Sequence, residues 1–101
     1  MKLIIVLGIK EHENDIKNIF SNSNIPIFSK VDVEGLKSKE NQLDLTNWFA
    51  SDVDADLSIM FFAFISNGNA ELLFNSVKKF NANENCVAHV HAFQMPVENY
   101  V

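Results

Sequence analysis

The sequence predicts an α+β fold in which two helices cover one face of an antiparallel sheet. Two runs, residues 3–7 and 57–65, are apolar at nearly every position, as in strands buried on both faces. Two further stretches carry apolar residues at helical spacing on an otherwise polar background. These elements alternate in the order βαββαβ along the 101 residues, which predicts one domain, residues 1–101, with a single core.

The first half of the chain contains a strand, a helix and a second strand. Residues 3–7 form the predicted first strand, and residues 11–22 the first helix, with acidic residues at its start. His12, at the beginning of that helix, is expected on the surface. Residues 26–34 alternate between apolar and charged side chains and predict an edge strand.

The second half begins with a long polar stretch, residues 35–56, which we interpret as a loop. Residues 57–65 follow as a central strand. Apolar residues at helical spacing then predict a second helix over residues 70–80. Residues 86–95 return to strand composition, and Pro96 ends that strand.

This order of elements has a consequence for burial. Right-handed crossovers place the first and third strands at the centre of a ferredoxin-like sheet, with both helices on one face. The two central strands are apolar on both sides, so their second face needs a cover. Self-association is the simplest cover, and the sequence therefore predicts a homo-oligomer.

Charge and composition exclude several classes of partner. The formal net charge is −5, which offers no basic surface to a nucleic acid. The apolar N-terminal stretch is too short for a signal peptide core or a membrane span. We expect a cytoplasmic protein that is not inserted in a membrane.

The end of the chain carries a family resemblance. The sequence Phe93-Gln94-Met95-Pro96-Val97-Glu98-Asn99 resembles the last strand of the PII signal-transduction superfamily. The opening Met1-Lys2-Leu3-Ile4, and the Val31-x-Val33-x-Gly35 before the long loop, are similar to the family's first strand and to the entry of its mobile T-loop. The resemblance implies a regulatory protein, a compact trimer and a signalling loop at about residues 35–56.

Two segments depart from the family pattern. Residues 80–85 read Phe-Asn-Ala-Asn-Glu-Asn, where PII proteins hold nucleotide phosphates with a glycine-rich segment. Leu36-Lys37-Ser38 follows Gly35 in place of the family's Gly-Arg-Gln. These departures argue against nucleotide binding and leave the ligand open.

Two histidines near the C-terminus are candidate metal ligands. On a strand, His89, His91 and Met95 share one face, which we expect to be the helix-free face. Imidazole and thioether groups suit a transition metal such as zinc, copper or nickel. Two histidines are too few for a tetrahedral site, although symmetry copies would add ligands. The alternative is that they form hydrogen bonds within a subunit interface.

The predicted loop is the candidate output element. Gly35 opens it, and Trp48 and Phe49 give it one adhesive spot among polar residues. The alternative is that Trp48 and Phe49 pack the segment onto its own domain. No catalytic motif occurs in the sequence, so we predict a protein that is not an enzyme. The other open function is a small dimeric oxygenase or isomerase with a pocket lined by Trp48, His89 and His91, which is an analogy of fold only.

Overall fold

The computed structural model describes residues 1–36, 57–66, 68–83 and 88–101. Within these segments, four strands, two α-helices and a short 3₁₀ turn follow one another. They are β1 (Lys2–Ile9), the 3₁₀ turn (Lys10–His12), α1 (Glu13–Asn22), β2 (Ser29–Val33), β3 (Ser58–Ile65), α2 (Asn69–Asn81) and β4 (His91–Pro96).

The four strands form one antiparallel sheet in the order β2-β3-β1-β4. The predicted α+β, ferredoxin-like arrangement is therefore confirmed, with β1 and β3 at the centre. These are the strands that the sequence marks as apolar on both sides. Within the described segments, no helix is long and apolar enough to span a membrane.

The core lies between the sheet and the two helices. Alternate residues of the central strands are fully buried against apolar residues of α1 and α2. The Phe20 ring of α1 stacks on Phe28 at 5.0 Å between ring centroids and on Phe61 of β3 at 5.8 Å. The largest side chains of this core are Phe20, Phe61, Ile4, Ile16, Ile59 and Leu73. The helices thus cover one face only.

A glycine allows α1 to lie close to β1. A Cβ atom on Gly8 would lie 3.0 Å from Cδ1 of Ile16 and 3.4 Å from Cγ2 of Val90. The first distance is shorter than an ordinary van der Waals contact, so a Cβ at this position would require the end of the Ile16 side chain to move by a few tenths of an ångström.

The other face of the sheet is apolar and has no cover among the described elements. Its cross-strand pairs include Ile5 with Phe62 and with Phe93, and Leu3 with Phe64 and with Met95. Phe64 is 57% exposed and Met95 42% exposed. We call this surface the open face; its apolar residues include Leu3, Ile5, Leu7, Val31, Met60, Phe62, Phe64, Phe93 and Met95.

The predicted limits of two strands were wrong. β2 begins at Ser29 rather than at residue 26, and β4 begins at His91 rather than at residue 86. Just before β4, the backbone N–H and carbonyl of Val90 are hydrogen-bonded to the side chain of Asn81 on α2. Of the long loop predicted at 35–56, residues 37–56 lie outside the described residues.

Candidate ligand site at the loop end of the sheet

One end of the sheet brings together the ends of two connecting segments. Val33 of β2 and Ile9 of β1 both pair with Ser58, the first residue of β3, and Leu7 pairs with His91, the first residue of β4. At this end of the sheet β2 ends before residues 37–56, β3 begins after them, and β4 begins as well. We call this region the loop end.

The 3₁₀ turn after β1 connects the strands at the loop end. The backbone N–H of Lys10 donates a hydrogen bond to the carbonyl oxygen of Leu57 at 3.0 Å. The Lys10 ammonium donates to the Asp32 carboxylate on β2 and lies 3.5 Å from a Glu13 oxygen. The Lys30 ammonium donates to the other Glu13 oxygen. Four alternating charges thus join the turn, α1 and the edge strand.

These contacts shift the protonation of three surface groups in the direction expected for ion pairs. The hydrogen bond from Lys10 holds the pKa of Asp32 below its ordinary value, and the hydrogen bond from Lys30 lowers the pKa of Glu13. The hydrogen bond to Asp32 raises the pKa of Lys10. Lys10 and Asp32 are exposed to solvent and Glu13 is part-buried at the surface, so the network connects β2 to the turn and to α1 but contributes little stability.

His12 is buried, and the expectation of a surface role was wrong. The residue is 8% exposed, and its ring meets the Phe80 ring edge to face at 4.9 Å. Its Nε2 lies 3.1 Å from the carbonyl oxygen of Ala88. Because a carbonyl only accepts, Nε2 carries the proton and donates it. Nδ1 lies 3.7 Å from an Asp15 oxygen. His12 therefore connects the start of α1 to the segment before β4.

Asn81, the last residue of α2, holds the same segment by two hydrogen bonds. Its Nδ2 donates to the carbonyl oxygen of Val90 at 2.8 Å, and its Oδ1 accepts from the Val90 N–H at 2.7 Å. The Asn81 amide thus takes the place of a neighbouring strand for one residue. Together, His12 and Asn81 fix the backbone that enters β4 on the loop end.

The sequence contains a signal for both residues. His12 lies four residues before Ile16 and eight before Phe20, so it extends the buried stripe of α1. Asn81 lies four residues after Val77 and eight after Leu73, so it extends the buried stripe of α2. A polar residue that continues an apolar stripe is expected to be hydrogen-bonded in the core, and this pattern was missed.

Of the predicted metal ligands, His89 and His91 lie near the loop end, whereas Met95 pairs with Leu3 toward the other end of the sheet. His89 is exposed and precedes β4, so strand alternation does not apply to it; His91 is half-buried and Met95 is 42% exposed. Among the residues that the structure describes, no three His, Cys, Asp or Glu side chains form a candidate metal site. A metal site at His89, His91 and Met95 stays a prediction that needs ligands from a second copy.

The other predicted site residues belong to the long connecting segment. Gly35 is buried just after the end of β2, at the loop end. Trp48 and Phe49 lie outside the described residues.

A titration tests the metal prediction. If the site exists, zinc, copper or nickel added to metal-free protein raises the melting temperature, because metal bound only to the folded state stabilises it. We expect the His89→Ala/His91→Ala double variant to lose that rise. An equal rise in the double variant, or none in either protein, would leave only hydrogen bonding as the role of these residues.

Comparisons with known proteins place this fold. No protein-family model matches the sequence, and no curated protein matches it. Solved structures do match. A PII-like signalling protein of Thermus thermophilus, TTHA0516, is 12% identical to this chain and superposes on it with a TM-score of 0.57. The match covers 93% of this chain and 83% of the Thermus chain. The apo form of CPII, a nitrogen regulatory PII-like protein of Thiomonas intermedia, is 16% identical to this chain with a TM-score of 0.59. That match covers 95% of this chain and 89% of the CPII chain.

The chain therefore has the fold of the PII-like signalling proteins. The resemblance noted in the terminal motif is confirmed at the level of the fold, over nearly the whole chain. CPII has also been solved with ADP, AMP and bicarbonate, in a structure 15% identical to this chain with a TM-score of 0.57, covering 93% of this chain and 86% of its own.

Proposed function

We propose that this protein is a PII-like regulatory protein that works as a cytoplasmic homotrimer and binds a small ligand or metal at subunit boundaries, near the loop end. The open face carries the proposal. Among the described residues, one face of the sheet lies under the helices and the second, apolar face has no cover, which supports burial of that face between subunits. The fold likeness supports a regulatory role.

The energetics of the open face favour self-association. Burial of a Leu, Ile or Phe side chain stabilises by roughly 1.5–3 kcal/mol. On the open face Val31, Phe64 and Met95 are exposed, whereas the other apolar side chains are part-buried within one subunit. A second subunit that covers this face would therefore add on the order of several kcal/mol, mostly from the exposed side chains. A closed trimer, which the PII resemblance implies, would bury the same surface on every subunit.

Subunit number is the direct test. We expect sedimentation equilibrium at micromolar concentration, and a native mass spectrum of protein purified without chelator, to give a homotrimer. A monomer would contradict the proposal. A dimer would favour the alternative of a small enzyme with a ferredoxin-like fold.

The ligand proposal concerns the geometry of the loop end. His12 and Asn81 hold the backbone before β4, and the Lys10 network holds the end of β2, so the flanks of both connecting segments are fixed. A fixed scaffold flanking loops is a common setting for a binding site. ADP, AMP and bicarbonate are the first compounds to test, because CPII has been solved with them.

The segment at about 35–56 is the proposed output element, through which a protein partner is contacted. We expect Trp48→Ala to leave folding unchanged and to abolish capture of that partner, because an exposed tryptophan is a typical hot spot of an interface. The melting temperature reports folding, and a pull-down with the variant as bait, compared with the wild-type bait, reports partner capture. If the variant instead loses the roughly 3–5 kcal/mol of a core aromatic, the segment packs on its own domain.

The enzyme alternative has no observation in its favour. The solved structures reported above are described as signalling or regulatory proteins. We therefore propose a role without catalysis.

A further inference from the structure

We propose that a groove between α2 and β4 binds a free amino acid, as a ligand site separate from the loop end. The groove has a volume of about 450 Å³, within the range of roughly 300–1,000 Å³ that is typical of small-molecule sites. We call it the α2–β4 groove. The residues that would contact a ligand are Lys2, Glu71, Phe74, Asn75, Lys78 and Gln94.

The position of the groove follows from the register of the sheet. Lys2 alternates with the buried Ile4 and therefore lies on the helix side of β1. It pairs with Pro96 at the end of β4, and Gln94 pairs with Ile4. The groove thus opens on the helix side of the sheet, at the end opposite to the loop end. It is independent of the open face and of any subunit contact there.

The helix supplies the second wall. Glu71, Asn75 and Lys78 are spaced by four and three residues, so they form one stripe along α2. The buried residues Leu73 and Val77 form a different stripe, toward the core. The groove wall is therefore the polar side of an amphipathic helix beside an edge strand.

An aromatic side chain gives the groove an apolar surface. Phe74 is half-buried and packs against the core cluster, while part of it lines the groove. A carbon skeleton placed there would be removed from water, which favours a ligand with some apolar surface over a bare inorganic ion.

The groove carries both positive and negative side chains, which favours a ligand with both a carboxylate and an ammonium group. Lys2 and Lys78 have no ion-pair partner among the described residues, whereas Lys10 and Lys30 are each paired with carboxylates. Two cations in one groove suit a carboxylate. Glu71 adds one anion that suits an ammonium group. An amino acid carries both groups, and the side-chain amides of Asn75 and Gln94 provide further hydrogen bonds.

A chemical-shift titration tests this inference. The probes are L-alanine, L-asparagine and L-leucine at millimolar concentration, each beside its N-acetyl derivative and its amide derivative. We expect saturable shifts of the backbone amide signals of residues 70–78 and Gln94 with at least one free amino acid. The N-acetyl derivative lacks the ammonium and the amide derivative lacks the carboxylate, so each should bind at least about tenfold more weakly.

Two variants assign the effect to the lysines. Lys2→Gln/Lys78→Gln should weaken binding by at least about tenfold, with unchanged signals in the core. Lys79→Gln is the matched control, because Lys79 is an exposed neighbour that does not line the groove, and it should bind as the wild type does. The inference is overturned if no probe gives saturable shifts, if the double variant binds normally, or if either derivative binds as well as the free amino acid. These outcomes are independent of subunit number.

Discussion

Phe61→Asp is expected to prevent folding of the chain. Phe61 is 1% exposed, and its ring stacks on Phe20 in the core under α1. Loss of a core aromatic costs about 3–5 kcal/mol, and an unpaired carboxylate at that place costs several kcal/mol more. The sum approaches the whole stability of a typical domain, about 5–15 kcal/mol. Circular dichroism and yield of soluble protein provide the measurement.

Phe64→Asp is the matched change on the open face. Phe64 is on the same strand but 57% exposed within one subunit, so the fold should survive while the proposed trimer dissociates. Leu72→Asp is the control for an exposed apolar residue elsewhere, because Leu72 is 46% exposed on α2, and it should remain trimeric. A trimeric Phe64→Asp protein would show that the open face is not the interface. A folded Phe61→Asp protein would show that the assignment of the core is wrong.

Asn81→Ala is expected to destabilise the protein by about 2–3 kcal/mol. The change removes two hydrogen bonds to Val90, each worth about 1 kcal/mol, and leaves a backbone N–H and C=O without their partner. Alanine is the better helix former, so propensity alone would predict a small gain. Denaturant unfolding measures the loss, and hydrogen exchange at the Val90 amide should become faster.

A control separates the hydrogen bonds from the helix propensity. Asn18→Ala makes the same replacement at an exposed position of α1 and should leave stability unchanged or slightly higher. Asn81→Asp keeps an acceptor for the Val90 N–H but lacks the donor, and should fall between the wild type and Asn81→Ala. If Asn81→Ala is as stable as Asn18→Ala, the side chain does not hold the segment before β4.

The sequence by itself determined the order of elements, the two central strands and the apolar character of both their faces. Hydrophobic periodicity reports burial directly, and runs that are apolar on both sides occur in strands with two covered faces. The terminal motif at residues 93–99 added the resemblance whose fold the solved structures share.

Only the tertiary structure decided which face is which. A period of two residues places Phe61 and Phe62 on opposite sides of β3, but it does not state which side lies under the helices; the packing of Phe20 on Phe61 does. The same holds for His12 and Asn81, whose partners Ala88 and Val90 are 76 and 9 residues away along the chain. These contacts depend on how α1 and α2 pack on the sheet. β4 begins at His91, although strand composition begins at residue 86.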